Sequence, residues 1–240
     1  MILFLRLLKA NGTQKRNNLL MKKISLIVFF SLITGCNKQH MNWITLFDGK
    51  EVYGMRGYKI DEMPWTCWEI KDGELKTIPF QPTVDIITKD KYKDFEFELE
   101  WKTSAAGNSG IFHHVTEEND WIWQSGLEMQ VLDDKAHRDG KNTKTSAGAL
   151  YDLIAPTNKS LKPVGEFNQV KVKVQNNYVE YWLNGSKIVE FVLGSPELVA
   201  LIENSKFKTM PNFAKASEGY VGLQHHGEEV YYRNVRIRKL

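Results

Sequence analysis

Two hydrogen-bonding side chains and a nearby acid stand out in the segment "SGLEMQVLDD" (125–134). Glu128 and Gln130 alternate with apolar residues, and Asp133 follows them. Because alternate side chains of a strand share a face, Glu128 and Gln130 would stand together, opposite an apolar row. A glutamine beside a carboxylate suits oriented hydrogen bonding to hydroxyl groups. From the residues alone, this row is either a wetted outer face or the floor of a site.

The spacing of Glu128, Gln130 and Asp133 is similar to the Glu-x-Asp-x-x-Glu pattern of retaining laminarinase-like glycosidases. In that pattern a bulge brings the third acid to the face of the first two. Double displacement needs two carboxylates about 5 Å apart. Here the middle acid is an amide and the last is one methylene shorter, so a retaining glycosidase is kept only as an alternative interpretation.

Two pairs of adjacent histidines lie in "GNSGIFHHV" (107–115) and "GLQHHG" (222–227). Neutral imidazole is a common ligand for zinc and similar ions. The sequence has no His-x-His, no Cys/His cluster and no HExxH, so no transition-metal site is predicted. Neighbours in a strand face opposite ways, so only one of His113 and His114 is expected to point into any given cavity.

Tryptophan is another residue type with a use in sugar binding, because aromatic faces are platforms for the C–H faces of sugar rings. The segment "DWIWQSG" (120–126) would place Trp121 and Trp123 on the same side of an extended segment just before the Glu128 strand. Core packing is the alternative interpretation for most of the tryptophans.

The elements that position these residues are predicted mostly as strands. In "DFEFELEWK" (94–102), apolar residues alternate with glutamates and a lysine, which predicts a strand with one buried face. The segment "NQVKVKVQ" (168–175) repeats this pattern. Asn176-Asn177 and Asn184-Gly185 are typical of tight turns, so three strands in series form an antiparallel meander.

Further strands are predicted at 66–70, 74–77, 85–88, 110–115, 127–132, 149–153, 220–224 and 230–237. Only "SPELVALIENSKF" (195–207) has helix marks, with Ser195 as N-cap and Pro196 at the first helical position. The polar segment 137–148 is expected to form a loop beside a site. This pattern predicts one all-β domain, an antiparallel sandwich over residues 43–240.

The beginning of the chain is predicted to be a targeting segment. "MKKISLIVFFSLITGC" (21–36) has two lysines, an apolar run and a lipobox ending at Cys36, whose thiol would carry lipid after cleavage. This predicts a leader and signal peptide at 1–35 and a lipidated tether at 36–42. An ordinary signal peptide with an incidental cysteine is the alternative, and Met1 and Met21 both stay open as the start.

Charge and cysteine content exclude some functions. Six of the 32 Lys and Arg residues lie in 1–35, where there is no acid, so the remaining 26 face 29 acidic residues with a net charge of −3. A mildly acidic domain lacks the positive charge that attracts nucleic acid, so nucleic-acid binding is not predicted. With Cys36 lipidated, Cys67 has no partner for a disulfide and is expected to be a small buried hydrophobe.

Several segments together resemble the 3-keto-disaccharide hydrolase domain family, which is common in bacterial envelope lipoproteins. They are "LFDGK" (46–50), "GNSGIF" (107–112), "EMQVLDD" (128–134), "GALYDL" (148–153), "KPVGEFNQVKV" (162–172), "WLNG" (182–185) and "GLQHHGEEVYYRNVRI" (222–237). The resemblance implies a concanavalin A-like jelly-roll sandwich of two antiparallel sheets with one short helix. It also implies a sugar site on the concave sheet and cleavage of glycosides oxidised to a ketone at carbon 3.

The implied reaction explains why ordinary glycosidase acids would be unnecessary. A ketone at carbon 3 acidifies the proton on carbon 2, so a modest base can form an enolate that expels the aglycone from carbon 1. Water then adds back. Such a site needs a base near pH 7, a donor to the enolate oxygen and an acid for the leaving group.

The residues that fall on the matching motifs are given roles by this resemblance. Glu128 or His226 is the expected base, and His113 is a reserve acid. Sugar hydroxyls or the enolate oxygen are held by Asn108, Gln130 and Gln224, and the rest of the expected substrate-binding set is Asp133, Tyr151 and Trp121. His225 departs from the acid expected just before His226.

Three functions stay open at this point: a hydrolase or lyase acting on 3-keto-disaccharides, a non-catalytic carbohydrate-binding lipoprotein on the same fold, and an envelope scaffold. The expected partners are an oxidised glycoside and, through Cys36, a membrane, with no nucleic acid. No cofactor is required, although a divalent cation that braces a loop stays open. Because "CNKQH" (36–40) has no acidic run, the protein is expected at the outer membrane, facing the periplasm.

Overall fold

A computed structural model describes residues 42–240, and the predicted signal segment with Cys36 lies outside them. Strands dominate this part of the chain. They are β1 (Ile44–Phe47), β2 (Met55–Gly57), β3 (Trp68–Lys71), β4 (Glu74–Thr77), β5 (Ile86–Thr88), β6 (Phe95–Thr103), β7 (Asn108–Val115), β8 (Leu127–Leu132), β9 (Asn168–Gln175), β10 (Tyr178–Leu183), β11 (Ser186–Val192), β12 (Tyr220–Leu223) and β13 (Val230–Lys239).

The strands form two antiparallel sheets that pack face to face. The larger sheet has eight strands in the order β11-β10-β9-β6-β13-β4-β3, with β1 also paired to β13. The smaller sheet has five strands in the order β2-β5-β12-β7-β8. The inner faces of both sheets contribute to one hydrophobic core. The predicted jelly-roll sandwich of two antiparallel sheets is therefore confirmed.

Alternation of side chains explains the larger sheet. On β6 the four apolar side chains from Phe95 to Trp101 are buried in the core. On the opposite face, Glu96, Glu98 and Glu100 form ion pairs with arginines of β13. Such cross-strand pairs support the antiparallel register but, at the surface, stabilise it only modestly.

The predicted meander is also present, and its turns have the expected backbone. Asn176 and Asn177 have φ values of 52° and 65° between β9 and β10. Asn184 and Gly185 have φ values of 48° and 83° between β10 and β11. Two successive residues with positive φ match the right-handed twist of the strands, which is why Asn and Gly stand there.

One short α-helix, α1 (Pro196–Glu203), follows β11. Its N-cap is Ser195, whose side chain accepts a hydrogen bond from the Leu198 N–H at 3.2 Å. Leu198 is buried, so the helix is held by both a cap and an apolar contact. None of the helices found in residues 42–240 is long and apolar enough to span a bilayer.

The strand predicted at 149–153 is wrong. Leu150 and Ile154 exchange backbone hydrogen bonds of 3.0 and 2.9 Å, which close a tight turn. Asp152 occupies the turn with a φ of 62°. Apolar spacing over five residues did not distinguish this turn from a strand, because Leu150 and Leu153 are buried in both arrangements.

The two adjacent histidines on β7 both face the core, contrary to the alternation expected of a regular strand. The pairing of β12 with β7 shifts register here, and His114 has a φ of 56°. The Nδ1 atoms of His113 and His114 lie 2.7 Å apart, and His113 Nε2 lies 2.7 Å from the Tyr181 hydroxyl. Burial lowers the pKa of both imidazoles, so they are neutral core groups at neutral pH.

Cys67 is fully buried, as expected. Its Sγ lies 3.4 Å from the Pro64 carbonyl oxygen. Burial raises the pKa of this thiol, so the reactive thiolate is disfavoured. Cys67 therefore acts as a small core residue.

Candidate active site

The outer face of the five-stranded sheet divides into an apolar end and a polar end. At the apolar end a second cluster is formed by Tyr58, Ile87, Phe112, Val115 and Ile122. At the polar end, β7 and β8 pair in regular register, with Gly110 opposite Gln130 and Phe112 opposite Glu128. Glu128 and Gln130 therefore share the outer face, as their spacing predicts. We call the polar end the site floor, and it includes Asn108, Gly110, Glu128, Gln130 and Gln224.

Glu128 is the buried carboxylate of the site floor, with an exposure of 8%. Its carboxylate leans over Gly110, where a Cβ would collide with Oε1. The missing side chain at Gly110 therefore makes room for this carboxylate. Burial raises the pKa of Glu128 to about 8, and nearby Asp85 and Asp139 raise it as well, whereas the Lys206 ammonium lowers it. A carboxyl group with this pKa can both accept and return a proton near pH 7.

The amide of Gln130 orients this carboxylate. With its nitrogen turned toward acceptors, Gln130 donates to the Ser109 carbonyl at 2.9 Å and to Glu128 Oε1 at 3.0 Å. In the opposite orientation it donates to Asn108 Oδ1 at 3.3 Å. The first orientation is favoured because it gives the amide nitrogen two acceptors, and the Asn108 amide then turns as well, so that its nitrogen donates to the Gln130 oxygen. Asn108 is buried beside this amide and completes a short polar row.

The polar segment 137–148 is an ordered loop beside the site floor. It contains two short 3₁₀ helices, Arg138–Lys141 and Thr143–Thr145. The Thr145 hydroxyl donates to the Asp139 carbonyl at 2.6 Å, and the Tyr151 hydroxyl donates to Asp139 Oδ2 at 3.1 Å. Burial and the Asp139 charge raise the pKa of Tyr151 above its ordinary value. The loop thus holds Tyr151 as a neutral phenol next to an acid.

A lysine that the sequence did not single out completes this side of the site. Lys206 follows α1, and its backbone N–H donates to Asp152 Oδ2 at 3.1 Å. Its Nζ lies 4.1 Å from the centre of the Tyr151 ring, a cation–π distance. Its charge also acts on Glu128. Nothing in the local sequence marks this residue, because the chain turn after α1 brings it to the site.

Asp85 is a second carboxylate near the site, although its sequence position predicts only the start of a strand. Its Oδ1 accepts a hydrogen bond from the His225 N–H at 2.8 Å. Burial raises the pKa of Asp85 to about 7, against the lowering effects of that N–H and of His226. An acid that opens a short apolar strand, as in "VDIIT", was the signal that could have found it.

Asp133 does not join Glu128 as a second catalytic acid in this arrangement. Its side chain accepts backbone N–H groups from Ala106, Lys135 and Ala136 at 2.9, 3.0 and 3.4 Å. It lies beyond the end of β8, and the β7–β8 pairing shows no register shift. Three backbone donors make this carboxylate an anchor for the turn, so the geometry does not favour a retaining pair.

Three other residues predicted for the site differ in position: Gln224 lies on the site floor, His226 is exposed, and His113 is in the core. His226 is exposed, with Nδ1 2.7 Å from Glu228 Oε2, and its ring meets His137 edge-on at 6.3 Å. The backbone N–H of Gln224 donates to the Gly110 carbonyl at 2.9 Å, which fixes Gln224 on the floor. His113 lies in the core, behind the floor.

Trp121 and Trp123 do not share one side of an extended segment, contrary to the sequence prediction. Residues Ile122–Gln124 form a 3₁₀ helix instead. Trp121 is 52% exposed, whereas Trp123 packs against the second apolar cluster. The hydrogen bond from the Gln124 N–H to the Trp121 carbonyl, 3.1 Å long, closes a helical turn. This turn places the two rings in different surroundings.

A groove of about 680 Å³ lies elsewhere, on the outer face of the eight-stranded sheet. Its walls include the Glu98–Arg236 ion pair and Lys171, whose Nζ lies 4.5 Å from the centre of the Trp182 ring. Glu98 and Arg236 already neutralise each other, and Lys171 stacks on Trp182, so the buried carboxylate of the site floor makes the floor the better candidate for catalysis. Over residues 42–240, no group of three or more His, Cys, Asp or Glu side chains is arranged to hold a metal ion.

A jelly-roll sandwich with a polar floor and a buried carboxylate on one sheet is an arrangement on which a carbohydrate-active site can be built. The chain belongs to the 3-keto-alpha-glucoside-1,2-lyase-like domain family, which matches residues 42–238. A 3-keto-disaccharide hydrolase from Bacteroides thetaiotaomicron is 34% identical over 228 residues, which cover 82% of this chain and 78% of that protein.

Solved structures agree with this assignment. A candidate glycosyl hydrolase from Parabacteroides distasonis superposes with a TM-score of 0.75 and 30% identity, covering 82% of this chain and 94% of that one. A second from the same organism has a TM-score of 0.66 and 28% identity, covering 83% and 100%. The chain is thus a hydrolase of glycosidic bonds, as the resemblance implied.

Proposed function

We propose that this protein cleaves 3-keto-glycosides by proton abstraction at carbon 2, elimination of the aglycone and addition of water. The observation that carries the proposal is the state of Glu128. This carboxylate is buried and accepts a hydrogen bond from the Gln130 amide, and burial raises its pKa to about 8. A general base needs these properties, whereas the second acid of a retaining glycosidase is missing because Asp133 is held by backbone N–H groups.

The first chemical step uses Glu128 as the base. Its carboxylate takes the proton from carbon 2, and the C–H electron pair forms a carbon 2–carbon 3 double bond while the ketone oxygen becomes an enolate. The Lys206 ammonium supplies positive charge that acts on Glu128, and the buried amide of Asn108 supplies a hydrogen-bond donor on the floor. Fixed charges and donors in a partly buried site stabilise a developing oxyanion more strongly than water does.

The remaining steps restore the enzyme. The enolate re-forms the ketone, its electron pair makes a carbon 1–carbon 2 double bond, and the carbon 1–oxygen bond to the aglycone breaks. The departing oxygen takes up a proton, water adds its oxygen to carbon 1 and loses a proton in return, and protonated Glu128 returns its proton to carbon 2. His226 is a weaker choice of base because it is exposed and paired with Glu228.

The proposal is tested by release of nitrophenol from 4-nitrophenyl 3-keto-α- and 3-keto-β-glucosides, beside the parent glucosides, with and without a chelator. We expect release from a keto substrate and none from its parent, because only the ketone acidifies carbon 2. Equal release from the parent would contradict the elimination mechanism. Saturable binding of the keto sugars without release would instead indicate a binding protein.

The proposed location is the bacterial envelope, with the domain tethered through a lipid on Cys36 and facing the periplasm. The support is the lipobox in the sequence at 33–36. A Cys36→Ser protein, expressed in a Gram-negative host, is expected to leave the membrane fraction and appear in the soluble fraction, while wild type stays with membranes. Equal membrane association of both proteins would exclude this anchor.

A further inference from the structure

Asp85 lies on the same sheet face as the site floor, at its far side from Glu128. The pairing of β5 with β12 joins Ile86 to Leu223, so the next position along places Asp85 beside Gln224. Gln224 is in turn joined to Gly110 by a backbone hydrogen bond of 2.9 Å. Because alternate residues share a face, Asp85, Gln224 and Gly110 form one row across three strands.

The row continues to Gln130 on β8, which pairs with Gly110. Two strands, β12 and β7, separate the strand that begins after Asp85 from the strand that carries Glu128. With neighbouring strands about 4.8 Å apart, the two backbones lie roughly 14 Å apart, and both side chains rise from the same face. The Glu128 carboxylate leans over Gly110, and Gln224 stands between Gly110 and Asp85 in the row. The floor therefore has a carboxyl group on each side of Gln224.

Within the described residues, one oxygen of the Asp85 carboxylate accepts a hydrogen bond and the other does not. Among the hydrogen bonds within residues 42–240, it receives only the one from the His225 N–H, so one oxygen is available to a ligand. The His225 ring is buried, packs edge-on against Trp68 at 5.8 Å, and has Nε2 3.2 Å from the Ile78 carbonyl. A backbone donor fixed by a packed ring sets the direction of the Asp85 carboxyl group.

We propose that Asp85 is the acid that protonates the leaving aglycone, working across the floor from the base Glu128. This inference rests on the proposed function. As the carbon 1–oxygen bond breaks, the Asp85 carboxyl group transfers its proton to the departing oxygen and becomes a carboxylate. When water adds to carbon 1, that carboxylate takes a proton from the water, so both acids return to their starting states.

The charges around the two carboxyl groups support the assignment of Asp85 as the acid and Glu128 as the base. Burial raises the pKa of Asp85 to about 7, and the charge of Asp85 raises the pKa of Glu128. An acid that keeps its proton near neutral pH can give that proton to a leaving group, as a general acid must. The charge of His226 lowers the pKa of Asp85, and the charge of Lys206 lowers the pKa of Glu128.

The test compares two leaving groups in the Asp85→Asn enzyme. Turnover of methyl 3-keto-glucoside, whose methoxide leaves poorly, is expected to fall by about 10²–10³-fold, as for loss of a general acid. Turnover of 4-nitrophenyl 3-keto-glucoside is expected to fall by less than about tenfold, because nitrophenolate leaves without a proton. Asp85→Glu, which keeps a carboxyl group, is expected to recover part of the loss on the methyl glycoside.

The ratio of the two rates decides the outcome, because the folded fraction of a variant affects both substrates equally. An unchanged ratio in Asp85→Asn overturns the proposal. Asp90→Asn, at an exposed position just after β5, is the matched control and is expected to leave both rates unchanged. If wild type releases neither aglycone, the proposed function fails first and independently of Asp85.

Discussion

The Glu128→Gln enzyme is expected to lose at least about 10³-fold of kcat on 3-keto-glycosides and yet to be more stable than wild type at pH 8. The loss follows because an amide cannot take the proton from carbon 2. The gain follows because Glu128 is buried and its charged form is costly there. Steady-state kinetics and denaturant unfolding of the two proteins measure the two effects.

The pH dependence of the stability difference has a definite sign. The pKa of Glu128 in the folded protein, about 8, lies above the ordinary value of 4.5. The folded state therefore binds this proton more tightly than the unfolded state, and the free energy of unfolding of wild type falls as pH rises from about 4.5 to 8. Glutamine removes this loss, so the advantage of the variant is on the order of a few kcal/mol at pH 8 and vanishes below pH 4.5.

A surface control separates these effects from a general change of charge. Glu203→Gln, at an exposed position at the end of α1, is expected to change neither kcat nor the slope of stability against pH. Retention of wild-type activity by Glu128→Gln would remove Glu128 as the base. An equal pH slope in wild type and Glu128→Gln would show that the carboxylate is well solvated.

The part of the site that could be predicted from the sequence is the part built by a single strand. Glu128 and Gln130 lie two residues apart on β8, so strand alternation alone places them on one face. Asp85, Asp139 and Lys206 come from three other segments, and only the strand order, the ordered loop and the chain turn after α1 bring them near that face. Local patterns carry no information on such long-range neighbours.

Backbone irregularities account for the predictions that were wrong. His113 and His114 both enter the core because a register shift and a positive φ interrupt the alternation of β7. The Trp121 segment curls into a 3₁₀ helix, and 149–153 closes a turn around Asp152. Each of these is a single local departure from a regular strand, and each moves a side chain to a place that a period of two does not predict.

The second large effect is expected at Lys206, whose replacement by methionine should lower kcat by about 10²-fold and raise the pKa of the acid limb of the pH–rate profile. The positive charge of Lys206 lowers the pKa of Glu128, so its removal leaves the base protonated up to a higher pH. The enolate also loses a nearby cation, and removal of one such group costs about 10²–10³-fold in kcat in comparable oxyanion sites. Rates measured from pH 5 to pH 10 separate the two effects.

Two further variants make the result specific to the position of this charge. Lys206→Arg keeps the cation beside the Tyr151 ring and is expected to restore most of the activity and the original pH limb. Lys206 and Lys208 both lie on the 3₁₀ helix Lys206–Thr209. Lys208→Met removes an exposed charge two residues away from Lys206 and is expected to change neither. A methionine variant at 206 with an unshifted pH limb would contradict electrostatic contact with Glu128. If the limb moved while kcat held at its plateau, Lys206 would act on the base alone, and the amides of the floor would be left to stabilise the enolate.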